Sequence, residues 1–279
     1  MTIAYAGEPG AFAEDAVLAA FGDVLRTGLP SFRAVFEAVA GGAARDVSAG
    51  VVPIENVIHG TVRENYDLLM EHELEIRGEV VVPVRLCLAA LSGERLDAIE
   101  RVYSHIQALG QAEAYLRSRS WQLLSTYNTA GAGKAIADAQ ERGAAAVLSP
   151  RAAALFGLEV LANDIGDLPD NRTRFLVLAR HDAPPTTIQD EPPHRRTTIV
   201  VAVRNEPGTL LAVLRVIADH GLNMRKLESR PSRERAWEYV FWIDLDGDMA
   251  DPALIAALEE VRAVTTMTRV LGSYPVAEA

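Results

Sequence analysis

An α/β fold in two domains is predicted by three observations. Short apolar runs alternate with helical stretches from residue 1 to about 180, a proline-rich polar break follows at 181–194, and the remainder reads strand, helix, strand, strand, helix, strand. The alternation marks a sheet with helices on its faces, and the last order is the ferredoxin-like βαββαβ plan. The 279 residues suit roughly two domains, and 49% hydrophobic residues are enough to build a core in each.

In chain order, the predicted strands of the first domain are 3–5, 50–52, 79–88, 101–104, 122–126, 145–148 and 175–179, with helices between them. Ser31 can cap a helix that carries Phe32, Val35, Phe36 and Val39 on one face, and Val62, Tyr66, Leu69 and Met70 form a second stripe at helical spacing; both stripes read as core. Pro184, Pro185, Pro192 and Pro193 fall among polar residues that cannot continue a helix or a sheet, so the boundaries are drawn as 1–182, a linker over 183–195, and 196–279. The second domain is predicted as a strand at 197–203, a helix at 210–220 opened by Pro207-Gly208, strands at 222–230 and 239–244, a helix from Pro252, and a last strand ending near Tyr274. In this plan the unpaired N–H groups near Gly208 are a natural seat for a carboxylate.

Composition narrows the function. A formal charge of -11 without a long run of like charges argues against nucleic acid or an anionic membrane as partner and points to a small molecule. No window approaches the roughly 20 apolar residues of a membrane span. The start goes from Thr2 straight into a short apolar run, so no signal peptide is expected and the cytoplasm is the expected compartment. Cys87 is the one cysteine, expected as a small buried hydrophobe.

Most general catalytic patterns fail. There is no Gly-x-Ser-x-Gly elbow, and Gly131-Ala132-Gly133-Lys134 lacks the upstream glycine and the following Ser or Thr of a phosphate loop. The histidines at 59, 72, 105, 181, 194 and 220 are scattered, so no metal site is expected. What remains is a set of polar segments where strands end and helices begin: Glu55-Asn56, Ser104-His105-Ile106-Gln107, Asn128-Thr129 and Asn171-Arg172-Thr173-Arg174-Phe175. Such positions line ligand clefts in α/β folds. Singly, Ser104 and Thr129 also suit helix caps and Glu55-Asn56 a turn; the recurrence of the arrangement is the stronger signal.

The chain resembles the prephenate dehydratases with a C-terminal ACT domain. The likeness covers nearly the whole sequence: Tyr5-Ala6-Gly7-Glu8-Pro9-Gly10-Ala11-Phe12, Val52-Pro53-Ile54-Glu55-Asn56, Tyr103 to Leu109, Thr173-Arg174-Phe175, Asn205-Glu206-Pro207-Gly208 and Glu228-Ser229-Arg230-Pro231. It departs at Val57, where the family often has serine, at Ile106, where proline is usual, and at Thr209, where alanine is common. Val57 takes away a substrate contact, and Thr209 bears on effector affinity.

The resemblance implies a catalytic domain of two lobes like a periplasmic binding protein, in which the chain crosses near Val80 and returns before Asn171. It implies the conversion of prephenate to phenylpyruvate for phenylalanine synthesis, driven by aromatisation and needing no cofactor. Thr173 is then the group at the leaving hydroxyl, with Glu55 or His105 relaying the proton. Arg174 is the candidate for a substrate carboxylate, with a structural ion pair to a local acid such as Asp164 or Asp167 as the alternative. Asn56, Ser104, Gln107, Thr129 and Asn171 supply neutral donors, and Phe175 packs the pocket wall or the core. The ACT domain implies an allosteric phenylalanine site between two subunits, with Asn205, Pro207, Gly208, Thr209 and Leu210 of one facing Leu227, Glu228 and Ser229 of the other. A homodimer through the ACT domains, assembling into a homotetramer, follows from that. Arogenate as substrate stays open. A non-catalytic amino-acid sensor is disfavoured by the intact Asn171 to Phe175 segment, periplasmic solute binding by the missing signal peptide, and a fused chorismate mutase by a chain that opens on the first strand of the dehydratase-like region.

Overall fold

The computed structural model describes residues 1–41, 47–184, 188–189, 194–232 and 238–276. The chain divides into two compact units, Met1–Glu73 with Val80–Leu176, and Leu74–Glu79 with Val177–Ala279. The segments 74–79 and 177–182, expected in the first domain from the position of the proline-rich break, group with the second unit by contact.

Up to the break the elements are β1 Thr2–Ala6, α1 Phe12–Phe21, β2 Leu25–Leu29, α2 Phe32–Val39, β3 Val47–Asn56, β4 Gly60–Thr61, α3 Arg63–Glu71, β5 Leu74–Pro83, β6 Cys87–Ala90, β7 Arg101–Ser104, α4 Ile106–Gln111, α5 Glu113–Arg117, β8 Gln122–Ser125, α6 Thr129–Ala139, β9 Ala144–Leu148, α7 Pro150–Leu155, β10 Glu159–Ala162 and β11 Arg172–Arg180. They build two sheets, ordered β2-β1-β3-β11-β5 with β4 beside β3, and β10-β6-β9-β7-β8. Each sheet is one lobe. The strand expected over 79–88 is in fact two, one per lobe: Pro83 closes β5 because it has no N–H to give a ladder, and β6 begins at Cys87. Beside this crossing the Val84 N–H donates to the Asn171 carbonyl at 2.8 Å, which sets the outgoing and returning segments next to each other.

The centre of the second sheet is buried on both faces, and its sequence says so. Along β9 every residue is buried, with Ala145 and Val147 in one apolar cluster and Ala144, Ala146 and Leu148 in the other. A continuous apolar run of this kind is the mark of a strand covered on both faces. Cys87 belongs to the same core, fully buried, and burial pushes its thiol up to about 11. Helix starts follow local chemistry. Ser31 accepts from the Ala34 N–H at 3.1 Å, Ser149 from Ala152 at 3.0 Å with Pro150 in the first helical position, and Asn128 from Gly131.

The second unit contains β12 Arg195–Ala202, α8 Thr209–Asp219, β13 Met224–Pro231, β14 Tyr239–Asp246, α9 Pro252–Val264 and β15 Met267–Pro275. The sheet order β13-β14-β12-β15 is that of the ferredoxin-like plan. Ile199, Val201, Ile243 and Leu245 pack under Val213 and Ile217 of α8 and Leu254, Leu258 and Val261 of α9. The opposite face carries a buried polar cluster in which the Thr198 hydroxyl lies 2.7 Å from both Asp244 Oδ1 and the Tyr274 hydroxyl. Leu74–Glu79 belongs to this unit through close contacts: Glu79 pairs with Arg196 at 2.6 Å, both largely buried, and Ile76 lies against Gly272. Of the proline-rich break, Pro185, Pro192 and Pro193 lie outside the described residues. Among the described residues no helix is long and apolar enough to cross a membrane.

A Cβ at position 272 would stand 2.2 Å from the Ile76 carbonyl oxygen, so backbone must shift to accept one. Gly272→Ala should therefore cost about 1–3 kcal/mol, read as a lowered midpoint in urea unfolding. An unchanged midpoint would mean that the strand segment does not pack on β15.

Candidate active site

The first unit contains a cavity of about 630 Å³ lined from both lobes. Its walls hold the N-terminal residues of α1 (Ala11 to Ala13), α2 (Ser31, Phe32), α3 (Val62 to Glu64), α4 (His105, Gln107) and α6 (Asn128 to Ala130). Each such end presents unpaired N–H groups and roughly half a positive charge, so their convergence makes an anion-favouring site within a chain of net negative charge.

The floor is built from β3 and β11. Asn56 closes β3 and is buried; its amide nitrogen lies 2.8 Å from Asn171 Oδ1, 3.1 Å from the Arg172 carbonyl and 3.0 Å from Thr173 Oγ1. Its carbonyl oxygen accepts from the N–H groups of Ile58 and His59, both at 3.0 Å, which shapes the turn into β4. The Asn171 amide donates in turn to Gln111 Oε1 on α4 at 2.9 Å, tying the second lobe to the floor. In this network the oxygen of Thr173 is an acceptor, and its own hydrogen goes to no described residue. That hydrogen is therefore available to a molecule in the cavity.

His105 caps α4, with Nδ1 accepting from the Gln107 N–H at 3.3 Å. Burial, and then the neighbouring His59, hold its pKa below the ordinary value. The imidazole is accordingly neutral near pH 7, a poor counter-ion but a competent relay.

The motif from Tyr5 to Phe12 joins the lobes. Gly7 and Gly10 have φ of 115° and 89°, and Gly10 lies against Ala152 on α7. The Ser149 hydroxyl donates to the Gly10 carbonyl at 3.2 Å. Glu14 on α1 is buried, receives the Gly10 N–H at 2.7 Å, and pairs with Arg26 and Arg151 at 2.6 Å each; Arg151 also pairs with Asp15. Burial opposes the ionisation of Glu14, but the Gly10 N–H and the two guanidinium groups together hold its carboxyl below the usual range.

Comparison with known proteins settles the family. The model of the prephenate dehydratase family matches residues 3–183, and that of the ACT domain matches residues 197–263. The chain belongs to the prephenate dehydratase family. It is 39% identical to a bifunctional chorismate mutase/prephenate dehydratase of Aquifex aeolicus, over 98% of this chain and 73% of that protein, and 39% identical to arogenate dehydratase 2 of Petunia hybrida, over 99% and 72%. A prephenate dehydratase from Arthrobacter aurescens, solved in complex with L-Phe, superposes with a TM-score of 0.86 at 32% identity, over 99% of this chain and 90% of that one. A structure described as a novel type of quorum quenching acylase, GqqA, gives 0.87 at 30% identity over 99% and 98%.

Of the residues singled out in the sequence, the cavity is lined by Asn56, His105, Gln107, Thr129, Thr173 and Phe175. Four others are not on its walls. Ser104 is fully buried and donates to the Val147 carbonyl at 2.6 Å, while Asn171 is the buried bridge between Asn56 and Gln111. Arg174 follows Thr173 on β11 and so points to the opposite face, as neighbours on a strand must. It pairs with a local acid, Glu55 at 3.7 Å, in place of Asp164 or Asp167. Glu55 thereby also stands apart from the cavity. Missed in the sequence were His59, Arg63, Gln111 and Tyr127, all on the walls; Tyr127 also donates to the Pro30 carbonyl from the other lobe. His59 and Arg63 follow the Glu55-Asn56 motif by a few residues, the one signal available for them.

In the second unit, Gly208 caps α8 with φ of 85°; among the described residues nothing beyond its chain neighbours and its own helix lies within 4 Å of where its Cβ would be, and no side chain caps the helix. Thr209 turns its hydroxyl to the Arg204 and Glu206 carbonyls at 2.7 and 3.0 Å. Leu227 and Ser229 stand opposite Ile243 and Phe241, on the helix-bearing face of the sheet, and Glu228 stands opposite Trp242 on the other face.

An NMR titration should find His105 with a midpoint below the ordinary histidine value, and His59→Gln should move it upward, because a second imidazolium no longer opposes the charge. A midpoint indifferent to His59 would show that the two rings do not face each other.

Proposed function

We propose that the chain converts prephenate to phenylpyruvate, carbon dioxide and water, and that phenylalanine binding to its ACT domain inhibits it. The observation that carries this is the Thr173 hydroxyl, held through its oxygen by Asn56 with its hydrogen uncommitted, on the floor of a cavity ringed by helix N-termini. In the reaction the bond between ring and carboxyl breaks, its electron pair enters the ring, and the ring expels hydroxide from the opposite carbon. Aromatisation drives the step, so the protein must orient the substrate and stabilise the departing oxygen. A threonine hydroxyl is too weak an acid to release a free proton. Thr173 instead gives a preorganised hydrogen bond that strengthens as charge builds on the leaving oxygen, and His105 relays the proton that completes water. Gln107 and Thr129 orient the substrate as neutral donors, Asn56 holds Thr173 in place, and Phe175 forms the wall behind the ring.

Arogenate is the second reading. Relatives at 39% identity carry that name, and Glu64, a carboxylate on the cavity wall, is suited to the ammonium group that distinguishes arogenate from prephenate. For the effector, the open backbone at Gly208 and the uncapped start of α8 suit an amino-acid carboxylate, and Asn205, Pro207, Thr209 and Leu210 surround that end. Leu227, Glu228 and Ser229 of a second chain complete the site in this proposal, in a dimer through the ACT domains that assembles into a tetramer. The cytoplasm is the proposed compartment.

Phenylpyruvate formation from prephenate should be measurable with the purified protein and suppressed by phenylalanine. Thr173→Val keeps the volume and removes the hydroxyl, and should lower kcat by about 10²- to 10⁴-fold with little change in KM; full activity in this variant would sink the mechanism. Glu64→Gln should reduce kcat/KM for arogenate about tenfold and leave prephenate untouched or improved if the second reading holds. Equal effects on both substrates would remove Glu64 from ammonium recognition.

A further inference from the structure

The two carboxylates of the proposed substrate have opposite needs. One leaves as carbon dioxide, so its negative charge must drain into the ring as the bond breaks. A cation held against it would stabilise the substrate more than the transition state and slow the step. The other, on the three-carbon side chain, keeps its charge throughout. A cation placed there strengthens binding and leaves the barrier alone.

Among the described residues of the cavity wall, Arg63 is the one permanent cation, and it forms no ion pair with any described residue. It opens α3, and α3 is fixed to β3 beside the floor: the buried Asn65 donates to the Pro53 carbonyl at 2.6 Å and the Val62 N–H to the Ile54 carbonyl at 3.0 Å. Depth separates the groups. Arg63 is exposed, whereas Asn56 and Thr173 are each 8% exposed and Phe175 is 2% exposed. The other cationic candidate, Arg174, faces away and is paired with Glu55. His59 and His105 are the remaining basic side chains of the wall, and His105 is held toward its neutral form. Beside Arg63, the carboxylate of Glu64 also acts on Arg33, so its field is not directed at Arg63 alone.

We infer that Arg63 anchors the side-chain carboxylate of the substrate at the cavity rim, and that the substrate accordingly lies with its ring and hydroxyl inward, toward Asn56 and Thr173. The inference rests on the proposed function, but prephenate and arogenate share this carboxylate, so the anchor serves either. It also accounts for a floor of neutral donors: the carboxylate that is lost meets no permanent cation there.

The test uses the full chain, with Arg63→Met and Arg63→Lys compared with wild type after circular dichroism has established that all three fold. Prephenate kinetics give KM and kcat. Calorimetry with phenylpyruvate, which keeps the side-chain carboxylate and lacks the ring carboxylate and the hydroxyl, gives the anchor without turnover. In Arg63→Met, phenylpyruvate affinity should fall and KM rise by about 10- to 100-fold, with kcat within about threefold. Arg63→Lys should recover part of the loss, and added salt should narrow the gap, because the charge is at the rim. Unchanged phenylpyruvate affinity, no binding by wild type, or a fall in kcat without a rise in KM would each overturn the anchor. Wild type that binds phenylpyruvate through Arg63 but does not turn over prephenate or arogenate would overturn the proposed function and leave the anchor standing.

Discussion

The side-chain amide of Asn56 is the contact from which the site hangs. It ends β3, spans to β11 through Asn171 and Thr173, and shapes the following turn through its carbonyl oxygen. One residue thus sets the direction of the Thr173 hydroxyl and the path of the chain toward α3. Buried and fully engaged, such a network is stiff because each member would leave another unsatisfied if it moved. Gln111 extends it into the second lobe, so opening the lobes strains the same set of bonds that positions the Thr173 hydroxyl.

Electrostatics in the cavity come mainly from the backbone. Helix ends from both lobes meet there because, in an α/β layer, the loops that follow the strands on one side all precede helices. An acidic protein can in this way hold a dianion without a cluster of basic side chains, and the neutral floor suits a reaction in which one of the two charges must be given up. Glu14, with Arg26 and Arg151, has a separate role, using a buried ion-pair group to hold the glycine loop after β1 against α7. Breaking one partner there would leave charge stranded in a buried setting, which is costlier than the pair is worth.

The second unit shows how a regulatory sheet can pack against segments from outside its own sequence block without adding them as strands. Gly272 on β15 meets the Ile76 backbone and Glu79 pairs with Arg196 on β12, and the same β5 continues as far as Pro83, at the crossing between the lobes. β11 likewise passes from Thr173 at the floor to Val177–Arg180 in the second unit. Both strands are continuous covalent links between the region proposed to sense an effector and the region proposed to do chemistry.

The fold class, the ferredoxin-like order and the segments that carry the floor could all be read from the order of residues, because strand and helix periodicity, caps such as Ser31 and proline breaks are local in their physics. Asn56, Thr173 and His105 stood out because polar segments recur where strands end and helices begin, although singly such residues also suit a cap or a turn, as buried Ser104 shows. Which side of a strand faces the cavity was settled by the assembled fold alone: Thr173 inward and Arg174 outward differ by one residue, and the choice depends on which face of β11 the neighbouring layer covers. Edge strands such as Leu25–Leu29 and Glu159–Ala162 escaped notice because half-exposed segments carry little apolar pattern. Arg63 was invisible for the same reason, as a surface arginine acquires meaning only when helices distant in sequence enclose the space beside it.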